Sequence, residues 1–154
     1  MRINKWIISF IAVVVLMLPA GYKAHAEEIS LTKDIINTEI TKDGSMLVSE
    51  ELTFKISGKY NGVFKDISFD KADGISNITV AEVKESTVPY GEVKSASNGD
   101  KNVYTLEKKS SNVRVKIYSP SKDEVKTFRV GYKITGAVKK YNDIGELFWK
   151  FIGK

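Results

Sequence analysis

The chain has no cysteine, and its one histidine, His25, lies inside the first 26 residues. Those residues read as a secretory leader. Arg2 and Lys5 give a positive start, Ile7 through Leu18 form an uncharged apolar run, and Pro19 and Gly21 break it. Ala24-His25-Ala26 then supplies small residues for cleavage before Glu27. A run of about a dozen residues is too short for the roughly 20 needed to span a bilayer core. Lys23 sits close to the cleavage point, so a retained anchor is the alternative. Cleavage removes imidazole along with the thiol already missing. That excludes Ser-His-Asp and Cys-His catalysis, histidine acid–base chemistry, thiol redox chemistry and His/Cys zinc sites. It excludes disulfides as well, so the exported body is held by packing alone. With no cysteine after the apolar run, a lipoprotein anchor is excluded too.

Arginine is also scarce. The whole-chain charge of +5 falls to +2 when the leader takes Arg2, Lys5 and Lys23, leaving only Arg114 and Arg129. The lysines are dispersed in pairs such as Lys108-Lys109 and Lys139-Lys140. A nucleic-acid protein gathers such residues into a patch, so no nucleic-acid partner is expected. Weak attraction to an anionic cell surface is the most this charge supports.

What is present is short-period alternation. Ile36, Thr38 and Ile40 alternate with polar neighbours before Asp43-Gly44, a strong hairpin signal because Gly tolerates positive φ. Beyond it Met46, Val48, Glu50, Leu52, Phe54 and Ile56 form one face of a second strand, apolar except for Glu50. Residues 57–67 read as a Gly-punctuated connection that displays Tyr60 and Phe64, and Asp70–Gly74 as an acidic bend. Strands are expected over 75–83, 88–93, 103–106, 113–118 and 127–135, with a mobile loop at 94–102 and a turn at 119–124. The expected class is all-β, an antiparallel β-sandwich, immunoglobulin-like in general architecture, forming one domain over 27–154. From Ile144, Leu147, Phe148, Phe151 and Ile152 follow helical spacing, with Asn142 or Asp143 as cap, so a short C-terminal helix is expected. A strand carrying Leu147, Trp149 and Phe151 on one face is the alternative, since eight or nine residues make a marginal helix.

Three stretches carry a family resemblance. They are Asp43-Gly44-Ser45 with Val48-x-Glu50-Glu51-Leu52-Thr53-Phe54, the segment Gly58-x-Tyr60-x-Gly62-Val63-Phe64-Lys65-Asp66-Ile67, and Phe128-x-Val130-x-Tyr132-x-Ile134 running on to Trp149-Lys150-Phe151-Ile152-Gly153. In these the chain resembles the extracellular N-terminal region of the YciQ-like family of predicted bacterial membrane proteins of unknown function. The resemblance implies a secreted β-sandwich followed by membrane helices. Here an aromatic segment ends at Gly153-Lys154, so the domain is expected to be cut before its last strands. The resemblance brings no catalytic residues.

The candidate chemistry is correspondingly thin. Glu50 with Asp66, Asp70 or Asp73 would make a carboxylate pair of the glycoside-hydrolase kind, but a Glu50 paired with lysine or arginine at a strand end, or placed beside a bulge, is the simpler reading. Asp70-x-x-Asp73-Gly74 lacks the alternating ligands and final Glu of a calcium loop, and no metal or other cofactor is expected. Exposed aromatics suit stacking on sugars or peptides. Tyr60, Phe64, Asp66 and Trp149 are the binding candidates, with packing against the missing remainder of the domain the simpler reading of Trp149. The expected function is a non-enzymatic envelope module that binds or senses. Its partner is an envelope protein or glycan, and its membrane association runs through the leader or a downstream span. The alternatives are an exported carboxylate-dependent hydrolase acting on envelope glycans and a gene fragment without function.

Overall fold

Two long strands organise the molecule, and each joins two runs in which β-branched or aromatic residues alternate with polar ones. A computed structural model describes residues 27–151; the leader proposed for residues 1–26 lies outside them. The strands are β1 (Glu28–Ile40), β2 (Met46–Ser68), β3 (Gly74–Val83), β4 (Val88–Pro89), β5 (Gly91–Glu92), β6 (Val103–Lys108), β7 (Asn112–Thr135), β8 (Val138–Lys140) and β9 (Gly145–Leu147). The expected all-β class is what the chain adopts.

Strands β2 and β7 run antiparallel from Met46↔Ile134 to Ser68↔Asn112. β1 lies along the first half of β2, from Ile40↔Met46 to Glu28↔Ser57. β3 and β6 share the other edge of β7 but occupy different stretches of it: β3 pairs with Thr127–Thr135 and β6 with Val113–Tyr118. The ribbon bends between those stretches, and its two halves face one another. Lys65 of β2 thereby hydrogen-bonds Glu50 of the same strand. Fifteen residues of straight strand would hold them about 50 Å apart. The sandwich is therefore a single hydrogen-bonded sheet folded on itself, antiparallel except for the two-residue β5–β6 bridge.

The bend corrects two expectations. Residues 57–67 and 119–124 are not a loop and a turn but parts of β2 and β7. Ile56 pairs with Glu124 and Lys59 with Lys122, leaving Ser57-Gly58 opposite Asp123. Tyr60 then pairs with Ser121 and Gly62 with Tyr118, leaving Ser119-Pro120 opposite Asn61. Two bulges, one on each strand, do the work assigned to loops, and a bulge tolerates Pro120 because its missing N–H is not needed in the ladder. The Gly58 amide donates to Asp123 Oδ1 at 2.7 Å, which holds the first bulge. At Gly62 the reason for glycine is close approach: a Cβ there would lie 1.9 Å from the Ile117 carbonyl oxygen.

The Asp43-Gly44 hairpin forms as expected, with Gly44 at φ 77° and its amide donating to the Thr41 carbonyl at 2.9 Å. The expected strand at 88–93 is split into β4 and β5. Among the described residues the expected C-terminal helix does not form: Gly145–Leu147 pairs with Val138–Lys140 as a small hairpin. Gly145 weakens so short a helix, and β8 offers open backbone partners.

The core lies between the two halves. Met46, Val48, Leu52, Phe128, Val130 and Ile134 come from one half and Ile67, Val113, Val115 and Ile117 from the other. Phe128 sits near its centre, with Tyr90 edge-on at 6.0 Å between ring centroids and Phe54 at 6.3 Å. Trp149 and Phe151, half-buried, pack against this cluster from the C-terminal segment.

Candidate functional site

The far end of β2 supplies side chains to both faces by alternation. Val63, Lys65 and Ile67 turn inward, while Phe64, Asp66 and Ser68 turn out. The C-terminal segment after β9 runs beside this end of the strand. Between them lies a groove of about 470 Å³, lined by Phe148, Trp149 and Phe151 of that segment and by Asp66, Asp70 and Asn112. Lys65, Lys71, Lys150 and Tyr132 also border it. Its polar groups are mixed in sign and interleaved with aromatic rings.

Asp66 is held at both of its carboxylate oxygens. Arg114 stands directly opposite it on β7 and donates from Nε to Oδ1 and from an Nη to Oδ2, both at 2.7 Å. The paired guanidinium holds the Asp66 carboxyl below the usual carboxylate range, and the Asp66 carboxylate in turn raises the Arg114 guanidinium. The same guanidinium lies 4.4 Å from the centroid of Phe64, stacked on its ring.

The four sequence candidates are therefore only partly assembled. Asp66 and Trp149 meet in the groove. Phe64 is 58% exposed and reaches the groove only through Arg114 and Asp66. Tyr60 belongs to a separate hollow of about 500 Å³ at the bend, with Lys59, Asn61, Pro120 and Lys122. Tyr60 and Phe64 are thus displayed on a strand, not on the loop their flanking glycines suggested.

Beneath the groove, Glu50 is 1% exposed. Its Oε1 accepts from Lys65, one of the two outcomes the simpler reading offered. Burial pushes its carboxyl above the ordinary glutamate value, with Lys65 opposing the shift and Asp34 adding to it. Burial and the neighbouring Glu50 carboxyl also raise the Tyr132 phenol. Glu50 does not converge with Asp66, Asp70 or Asp73, which corrects the carboxylate pairings considered from the sequence. Asp66 turns to the outer face and is held by Arg114, Asp70 accepts from Ser68 Oγ at 3.3 Å, and the Asp73 amide donates to the Thr135 carbonyl at 2.9 Å. Among the described residues no cluster of three or more His, Cys, Asp or Glu side chains is placed to hold a metal ion. No helix among them is long and apolar enough to cross a membrane.

Sequence reasoning missed Asp34, Lys65, Asn112 and Tyr132. The parity of Lys65 was the available signal: it shares the inward phase of Val63 and Ile67, as Glu50 shares that of Val48 and Leu52.

Neither the curated proteins nor the solved structures give a significant match to this chain. Residues 30–154 match the family model described as the N-terminal domain of a predicted membrane protein (DUF2207), and with four-fifths of its length so covered the chain belongs to that family.

Proposed function

We propose that this chain is the exported, YciQ-like recognition part of a membrane protein, and that it binds an envelope glycan in the Trp149 groove without catalysing a reaction on it. The observation that carries this reading is the company Trp149 keeps: it lines a groove of about 470 Å³ together with Asp66 and Asn112. Sugar rings are bound by that combination, an apolar face stacking on the aromatic and hydroxyls bonding to planar amide and carboxylate groups. Arg114 presets the Asp66 carboxylate, so a ligand would not have to order it. Membership of a membrane-protein family and the leader-like residues 1–26 support placement on the outer side.

Titration of the protein with oligosaccharides from the cell envelope tests this, read by calorimetry and by tryptophan emission. Binding with an emission change that Trp149→Ala abolishes is the expected result. A series of oligosaccharides that binds W149A as well as the natural protein, or binds neither, refutes the groove as a glycan site.

A further inference from the structure

The interior face of the first layer carries a diagonal row of polar side chains that meets the groove only at Tyr132. Ile36 of β1 stands opposite Glu50, so Asp34, two residues away on the same face, is its diagonal neighbour. Val130 of β7 stands opposite Glu50 on the other side, and Tyr132 is the diagonal neighbour there. Lys65 arrives from the folded-over half of β2 and occupies Glu50 Oε1. Two oxygens are left. Glu50 Oε2 and Asp34 Oδ1 are both buried and have no hydrogen-bond partner, and the register sets their two residues side by side on one diagonal. Two bare carboxylate oxygens cannot satisfy one another, and a buried unpaired charge is costly. One proton resolves both vacancies.

We propose that Asp34 and Glu50 share a single proton, donated from Glu50 Oε2 to Asp34 Oδ1, and that this bond clasps the edge strand β1 to the sheet under acidic conditions. Burial and the neighbouring Asp34 favour protonated Glu50, while Lys65 favours the ionised form. Tyr132 stays neutral and contributes no charge, its phenol being raised. Because the folded state holds this proton more tightly than the unfolded chain, the stabilisation is present below the ordinary glutamate value of 4.5 and is lost as pH rises through the raised folded value. Loss of the proton places two like charges side by side beneath β1. The inference does not depend on what occupies the groove.

Infrared spectroscopy of the full-length protein across a pH series tests it, following the carboxylic acid C=O stretch. A band that outlasts ordinary carboxyl titration is expected in the natural protein and absent in Glu50→Gln. Asp34→Asn, a conservative change on the edge strand, keeps an acceptor for the Glu50 hydroxyl but removes the like charge. In it the band should disappear at lower pH. A natural protein without a persistent band overturns the proposal. So does an Asp34→Asn profile that coincides with the natural one, since Glu50 would then hold its proton through burial alone.

Discussion

The hydroxyl of Tyr104, on β6, donates to the backbone carbonyl of Ile78, on β3, at 2.8 Å. The two strands share an edge of β7 without pairing to each other, so this bond ties the folded halves together directly. Both groups are buried, and removing the hydroxyl strands a carbonyl. Tyr104→Phe is expected to lose about 1–2 kcal/mol of stability with an unchanged denaturant slope, measured by urea unfolding.

Lys65→Met would leave Glu50 buried without its cation. Breaking such a pair costs about 3–5 kcal/mol, and the partial exposure of Lys65 places this case near the lower figure. The loss should depend on pH in a definite sense. Protonated Glu50 needs no cation, so thermal unfolding at pH 4.5 should show a much smaller deficit than at pH 7.5. Equal deficits at the two values would count against an ionised Glu50 at neutral pH.

Gly62→Ala places a methyl carbon against the Ile117 carbonyl, with backbone on both sides and no flexible side chain to yield. A destabilisation on the order of 3 kcal/mol is expected. Equilibrium unfolding checks it, and Gly99→Ala makes a contrasting control for added volume, since nothing lies within 4 Å of a Cβ there. Gly99 has φ +99°, so its residual cost reports backbone strain alone.

Asp66→Asn separates recognition from folding. The Asp66–Arg114 pair is well exposed on both sides, and exposed pairs are worth less than about 1 kcal/mol. The melting temperature should barely move, while affinity for a groove-bound oligosaccharide should fall. A large loss of stability would assign Asp66 to the framework instead.

Alternation made the strands legible. The run from Met46 to Ile56 and the run from Thr127 to Thr135 sit where their apolar phase put them, and Glu50 stood out as the polar member of a buried set. The bend was not legible. Gly58, Gly62 and Pro120 are the residues of loops as much as of bulges, and only the pairing of β2 with β7 distinguishes the two. The groove was half-read for the same reason. Asp66 and Trp149 could be named individually, but their meeting depends on a chain path that no local pattern encodes. Lys65 found Glu50 through the fold-over, a contact between two stretches whose separate phases say nothing about facing each other. The C-terminal segment went the other way: its helical spacing was genuine, yet Gly145–Leu147 found an edge to pair with.

The two central strands pass without interruption through both layers, and this governs how the molecule must assemble. Met46 and Ile134 meet at one end of the ribbon, so the whole intervening chain has to be gathered before that end closes. Neither leaf can mature as an independent unit, because each borrows half of the same two strands. Such topology makes acquisition of the native state slow, on a scale of roughly milliseconds to seconds, and all-or-none. Once formed, the leaves cannot swing apart as hinged domains do, since the hinge is the ladder itself.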